Sequence, residues 1–587
     1  MGLQAWVIGA ITGVLFGVSS SICGAANEHK ADETLRALYE SEHRWYQEQL
    51  GKRQNEKGKW VSGPALPRVD AATRRGNLAR WENALSKLER IPEDSLTPQE
   101  RVNAAVFRQI LETRVSDLHY KTYEAPLNSD TFFWTGLYPR NRGFDDKQEY
   151  LDYLSRLEQL PRYFAEHEQN MRAGLKRGYS VPRITLQGRD QSVVAYLAGG
   201  EQNPFWEPME HIPATVSAAE KRQLRARARI VIEESVIPAY TELLRFLRKE
   251  YLPVTRTSLA AHELPDGDAF YQTQIRAFTT LDLTAKEVHQ RGLEEVERIR
   301  QEMLSTIADA EFSGSIQDFI QFLRTDPQFY AKTPEELLGY SSYVAKRTDA
   351  RLGDMLGFLP RARFTIMPVP DAVAPFYTSG RGGLDSCLMN TYNLPARPLY
   401  TLAALTLHEC APGHALQAAI AQEGPGDVPD FREDNYFSGY GEGWGLYTEW
   451  LGVEMGIYRT PYEHFGRLSF EMWRACRLVI DTGIHQYGWS RKQAQDYLAQ
   501  HTALSIHDIT TEIDRYISWP GQALAYKLGE MLIREKRAAA ETALGSAFDV
   551  RYFHDTILGL RSVPLTVLSD ELDRWIAAGG PNPYPDV

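Results

Sequence analysis

The chain has 587 residues, 43% hydrophobic and 24% charged, with a formal net charge of −12 from 65 Lys and Arg against 77 Asp and Glu. Such a chain can bury a large core and divide into about two to four domain-sized units or remain one large one. The acidic balance, with no basic run to offset it, excludes a nucleic-acid-binding surface.

At the amino terminus, Ala5 to Ile22 is apolar and rich in Gly and Ser, and Gly24-Ala25-Ala26 then gives way to charged sequence from Glu28. This is the pattern of a signal peptide over residues 1–26, cut near Ala25 or Ala26. The leading residues carry no Lys or Arg, so an uncleaved anchor is the competing reading, the segment being close to the roughly 18 residues that span a bilayer. Cys23 follows Ile22, a poor fit to a lipid-attachment sequence. The expected location is periplasmic or secreted, with a lipoprotein or anchored form as the variant. Export permits disulfides, yet Cys387, Cys410 and Cys476 are odd in number and do not resemble a disulfide framework.

From Asp32 to about Leu118 the pattern is helical, with a segment from Ala31 to Leu50 and another from Pro98 to Val115. Thr97 is a plausible N-cap for the second, with Glu100 three residues on. A loop rich in Pro, Asn and aromatic residues runs from Tyr123 to Arg142. Helical periodicity resumes from Asp145 to Arg177 and from Ser217 to Tyr251, where charge runs mark solvated faces. Pro265-Asp266-Gly267 is a turn signal, and a boundary is placed near it, giving an N-terminal helical lobe over 27–260 and a catalytic helical lobe over 261–587. Thr284 caps a long charged helix to about Ala310. The best candidate for β-strand or loop material is Phe364 to Val369 and Ala374 to Asn390, the latter holding Gly380-Arg381-Gly382-Gly383. That run lacks the Lys and the spacing of phosphate-binding loops and reads as a flexible loop or strand corner near the cleft. The fold class is mainly α, with minor β near residues 364–390.

The chemistry concentrates in His408-Glu409-Cys410-Ala411-Pro412-Gly413-His414. Zinc peptidases set two His at i and i+4 on one helical face with a Glu between them as base, whereas here the second His is at i+6. On an unbroken helix six residues advance about 600°, so the two rings would diverge by about 120° and could not share an ion. Pro412 lacks the N–H that would bond the His408 carbonyl and disfavours helical angles at Ala411, while Gly413 can adopt positive φ. The spacing predicts that the helix stops after Glu409 and that a two-residue bulge swings His414 back. The bland alternative is a helix end closed by Pro-Gly with two incidental histidines. Cys410 is expected to be a small buried apolar residue without a role.

A third ligand is expected from Tyr440-Gly441-Glu442-Gly443-Trp444, which opens an apolar helical segment to Met455; two Gly around Glu442 indicate close approach to the backbone. Glu449, seven residues later on the same face, is a candidate to orient a ligand His. In the next helix, His464 to Tyr487, Arg474, Arg477, Asp481 and His485 form one polar stripe on an apolar surface. Arg474 and Asp481 suit a buried ion-pair ladder, and His485 is assigned to the site, supporting an oxyanion or orienting a ligand. Further on, Tyr516 and Tyr526 are candidate oxyanion donors, and Arg515 or Lys527 candidate binders of a substrate carboxylate, with Gln522 on the same face as Tyr526.

These residues resemble the domain of unknown function family 885, secreted bacterial proteins, across essentially the whole mature chain. The likeness lies in Leu405 to Glu409 through Pro412-Gly413-His414 and Gln417, Glu442-Gly443-Trp444, Trp473-Arg474 with Arg477 through His485, and Tyr516 with Trp519 to Gln522 and Tyr526. Tyr377 and Asn390-Thr391-Tyr392 also resemble family positions that line a channel. The resemblance implies a prolate helical body of two lobes around a deep channel, similar in plan to angiotensin-converting enzyme, thimet oligopeptidase and the thermostable carboxypeptidases. By that likeness His408, His414 and Glu442 are zinc ligands and Glu409 the base. The expected activity is zinc-dependent hydrolysis of short peptides, with carboxypeptidase and peptidyl-dipeptidase action both open and with Arg477, Arg515, Gln522, Lys527 and Tyr377 contacting substrate. A metal-dependent hydrolase of another amide or ester, and a non-catalytic peptide-binding protein, are the rival readings. No nucleic-acid partner is expected.

Overall fold

The computed structural model describes residues 30–585 apart from 141, 372 and 373; the expected signal peptide lies outside the described residues. The fold is mainly α. Helices over 30–49, Ala71–Leu88 and Pro98–His119 open the chain. Thr97 precedes the third as expected but caps nothing: its hydroxyl and N–H both go to Asp32. Thr284 does form a reciprocal capping box with Glu287 at the head of Ala285–Asp309.

Strands are few. β1 (Lys52–Gln54) and β2 (Trp60–Ser62) make a small antiparallel hairpin that periodicity did not reveal, each strand being too short to carry a pattern. β3 (Thr365–Pro368), β4 (Gly380–Gly382) and β5 (Ser386–Met389) form a sheet in the order β3-β5-β4, with β3 parallel and β4 antiparallel to β5. This is the strand material expected near residues 364–390.

The apolar cores do not divide at residue 260. One core is confined to residues between Leu127 and Tyr251. A second joins Leu35, Trp81, Phe107 and Leu118 to Leu407, Trp444, Tyr447, Phe553 and Trp575, so the first three helices pack on the C-terminal half. A third seats Val296, Ile299 and Met303 on Leu468, Met472, Val479 and Ile480 of the long helix Pro461–His485. Each such fully buried aliphatic contributes about 1.5–3 kcal/mol, so this helix, buried on nearly every face, is a fixed post for its neighbours. Among the described residues no helix is long and apolar enough to cross a membrane.

Candidate metal centre

The helix carrying the motif runs Leu399–Glu409 and stops there; the next begins at His414 and ends at Glu423. Between them Cys410 leaves helical space at φ −98°, ψ −102°, and the Ala411–Pro412 peptide is cis. Gly413 is needed for closeness rather than for positive φ: at φ −75°, a Cβ there would stand 1.9 Å from the His408 carbonyl oxygen. The Gly413 N–H donates to the Leu407 carbonyl at 3.0 Å and the Trp444 indole to the Pro412 carbonyl at 2.8 Å, which fixes the bulge. Strand β5 adds a covalent tie, because Cys387 is disulfide-bonded to Cys410. This corrects the expectation of no disulfide and of a Cys410 without a role: an odd count of cysteines leaves room for one bond plus a buried free thiol, Cys476.

The bulge brings the two imidazoles together, with ring centroids 4.8 Å apart and planes at 84°. Glu442, in the helix Ser438–Glu454, reaches both: its Oε2 lies 3.5 Å from His408 Nε2 and 3.4 Å from His414 Nε2. The three ligand atoms all stand within 4.8 Å of one another. Two ligands each about 2.05 Å from one ion at the tetrahedral angle are about 3.3 Å apart, so the donor types and the two spacings from Glu442 fit a zinc-sized ion.

The glycines around Glu442 allow this approach. A Cβ on Gly445 would stand 2.7 Å from the His408 ring, and Gly443 meets the backbone of Gly529 on the helix Ala525–Leu544, where a Cβ would be 2.7 Å from the Gly529 Cα. The same crossing brings Tyr526, one turn before Gly529, toward the Glu442 end.

Glu449 holds the first candidate ligand, its Oε1 2.8 Å from His408 Nδ1. That bond puts the Nδ1 proton on the carboxylate side and leaves Nε2 as the donor pair for an ion. Arg474 Nη2 lies 3.5 Å from the same Glu449 oxygen. Burial opposes charge on His408, but Glu442 and Glu449 overcome it and raise its pKa to about 10. Burial likewise works against ionised Glu442, and the two imidazoles hold it well below the usual carboxylate range. A site that binds a proton this tightly is one whose field attracts a cation.

Glu409 sits half-buried beside the triad, and the N–H of Gly382 in β4 donates to its Oε2 at 2.7 Å. The Gly-rich run is therefore a strand whose backbone pins the candidate base.

The model of a bacterial protein of unknown function, DUF885, matches residues 47–572. The chain belongs to this family. Among solved structures it is similar to the "putative lipoprotein" of Colwellia psychrerythraea, at 24% identity over 94% of this chain and 99% of that one, with a TM-score of 0.82. It is also similar to one of unknown function from Shewanella oneidensis, at 18% identity over 93% and 99% of the two chains, with a TM-score of 0.63. At these identities the likeness concerns the fold. No curated protein matches the chain.

In this DUF885 protein several residues assigned from sequence stand elsewhere. His485 is fully buried; its Nδ1 accepts from the Ala261 N–H at 3.2 Å and its Nε2 donates to the Tyr516 carbonyl at 2.8 Å, while burial lowers its pKa to about 3. It lies eleven residues, about 16 Å of helix, beyond Arg474, and its role is to join helices. Asp481 is no rung of an ion ladder either: it accepts from the Tyr271 hydroxyl at 2.6 Å and the Gly521 N–H at 3.1 Å, and burial raises its pKa to about 7. Lys527 is 0% exposed and bridges Glu471, Glu530 and Glu295 at 2.8, 2.7 and 2.9 Å, so it is an ion-cluster residue and not a substrate contact. The Tyr516 hydroxyl is used up, accepting from Trp473 Nε1 and Arg477 Nε and donating to Glu512 at 2.7 Å. Nothing brings the Tyr377 side chain to the triad; its carbonyl receives the Asn390 amide.

Arg515, Gln522 and Tyr526 do cluster. Arg515 Nη2 donates to Gln522 Oε1 at 2.7 Å and to the Tyr526 hydroxyl at 3.2 Å. Arg477 lies against the Tyr526 ring at 4.3 Å and bonds Glu512, so two guanidinium groups share that one carboxylate.

Sequence reasoning missed Tyr436. It is 57% exposed, its hydroxyl sits where a Cβ on Gly441 would be, and surrounding protein together with Glu442, Tyr526 and Glu409 holds its pKa well above the ordinary value. Exposed surface among such neighbours means that the ring faces an internal cleft shared by the triad and Tyr526. The only signal in the sequence was an aromatic residue before a glycine-rich helix start.

Proposed function

We propose that this protein is an exported zinc-dependent hydrolase of peptide bonds. The observation that carries the reading is the convergence of His408, His414 and Glu442, whose carboxylate lies 3.5 and 3.4 Å from the two imidazoles, with Glu409 beside them. When bound, a zinc ion supplies Lewis acidity, polarising a carbonyl and acidifying water to near neutral pH. Glu409, held through Oε2 by Gly382, uses its other oxygen to take the proton of the attacking water and pass it to the leaving amine. Tyr436, whose hydroxyl has no hydrogen-bond partner among the described residues, donates to the developing oxyanion, the role that Tyr516 and His485 are placed too far into the packing to fill.

Beyond Tyr436, Arg515 and Tyr526 receive the terminal carboxylate of the substrate, with Arg477 and Gln522 positioning them. This favours release from the carboxyl end. The Cys387–Cys410 bond supports export, since disulfides persist in oxidising compartments, and the descriptions of both similar structures name a lipoprotein.

The test is Glu409→Gln, assayed on a peptide mixture by mass spectrometry with metal content measured in parallel. Zinc is expected to stay stoichiometric while cleavage falls by about 100-fold or more. Cleavage at the wild-type rate would remove Glu409 as the base.

A further inference from the structure

Well apart from the metal ligands in sequence, a cavity of about 320 Å³ opens between the first helices and the segments 264–278 and 517–520, a size within the range of small-molecule sites. Its lining includes Asp117, Tyr179, Phe270, Gln274, Phe278 and Trp519. The rings are arranged as two edge-to-face pairs, Tyr179 with Phe270 at 6.0 Å and Phe278 with Trp519 at 5.9 Å. The Tyr179 ring already carries the Arg177 guanidinium 4.7 Å from its centre, so the rings serve the cavity as apolar walls.

The polar groups are the informative part. Among the described residues no hydrogen bond or ion pair reaches the Asp117 carboxylate, and none reaches the Tyr179 hydroxyl or the Gln274 amide. Burial alone raises the Asp117 pKa to about 6, so at neutral pH the carboxylate is ionised with no counter-ion. The cation in the wall, Arg256, is committed elsewhere: Nε donates to the Ser180 carbonyl at 2.8 Å, Nη1 to that of Ala260 at 2.7 Å and Nη2 to that of Leu259 at 3.3 Å. Asp117 is half-buried, so its carboxylate is open to the cavity, free of protein partners among the described residues and available to a ligand cation.

We infer that this cavity is a binding site for a primary organic ammonium, with Asp117 as counter-ion, Tyr179 and Gln274 as accepting oxygens, and the four rings enclosing the body of the ligand. An ammonium has three donors and no acceptor, which matches three lining side chains that each offer an accepting oxygen without a protein partner among the described residues; an anion would meet Asp117 unfavourably. The inference stands on this cavity and is independent of whether the metal centre hydrolyses peptides.

The probe is benzylammonium chloride, titrated into the full-length protein at pH 7.5 by calorimetry, with benzyl alcohol as the neutral match in shape. Saturable binding of benzylammonium is expected, about 10- to 100-fold tighter than benzyl alcohol, and Asp117→Asn is expected to remove most of that difference. Equal affinity of the two probes for the wild-type protein, or no saturable binding of benzylammonium below roughly 10 mM, would overturn the assignment without recourse to any variant. Unchanged benzylammonium affinity in a folded Asp117→Asn protein would overturn it as well.

Discussion

Replacing Glu449 by Gln tests how the proposed metal centre is built. The side chain is 1% exposed and stands 2.8 Å from His408 Nδ1. Gln keeps the size and an accepting oxygen but removes the charge that fixes which nitrogen of His408 is protonated. Buried partners of ligand histidines are worth about 10- to 100-fold in metal affinity, or about 1.4–2.7 kcal/mol at 1.4 kcal/mol per tenfold. Water cannot replace the lost charge at a site this closed. Arg474, 3.5 Å away, loses its anionic neighbour in the same change and adds to the loss. The assay is competition for zinc against a chromophoric chelator, with circular dichroism to confirm folding. Affinity within about twofold of wild type in a folded Glu449→Gln protein would refute the argument, because a carboxylate that can be neutralised without consequence does not organise the ligand.

Two further outcomes are expected. Lys527→Met removes the cation shared by buried Glu471 and Glu530 and half-buried Glu295, each of which keeps an arginine partner, and is expected to lower stability by about 1.5–3 kcal/mol in denaturant titrations; a folded variant as stable as wild type but with a raised KM would return Lys527 to the substrate. His485, with its pKa lowered to about 3 by burial, binds fewer protons folded than unfolded. Its contribution is therefore complete above the unfolded pKa of about 6.5 and is lost as pH falls toward 3. Measured against His485→Gln, the wild-type advantage in unfolding free energy should shrink by about 2 kcal/mol between pH 7 and pH 5; an advantage independent of pH would show that folding leaves the pKa of the ring unshifted, and one that grows as pH falls would show that the ring is protonated in the fold.

The comparison of residues explains what could be read in advance. Thr284 with Glu287, and the break at Pro412-Gly413, are local devices: the hydrogen bonds and steric limits involved lie within a few residues, so the sequence carries them. The glycines beside Glu442 announced close approach, but not that Tyr436 and Gly529 would be the neighbours. The polar stripe of the long helix was legible as buried polarity. Its division into Arg474 at the metal centre, Arg477 in the tyrosine cluster, Asp481 at Gly521 and His485 between helices was not, because each lies at a different height and meets a different neighbour.

By itself, then, the sequence determined a mainly helical chain and a helix that must stop after Glu409, along with the candidate cluster of His408, His414, Glu442 and Glu409, since these follow from backbone geometry and side-chain chemistry. Only the tertiary structure decided that β5 would be bonded to Cys410, that β4 would hold Glu409, that Lys527 would be sealed among carboxylates, and that Tyr436 would face the same cleft as Glu442. Those outcomes depend on which surfaces, distant along the chain, pack together, and a buried charge or hydroxyl acquires its role from the partner that packing gives it.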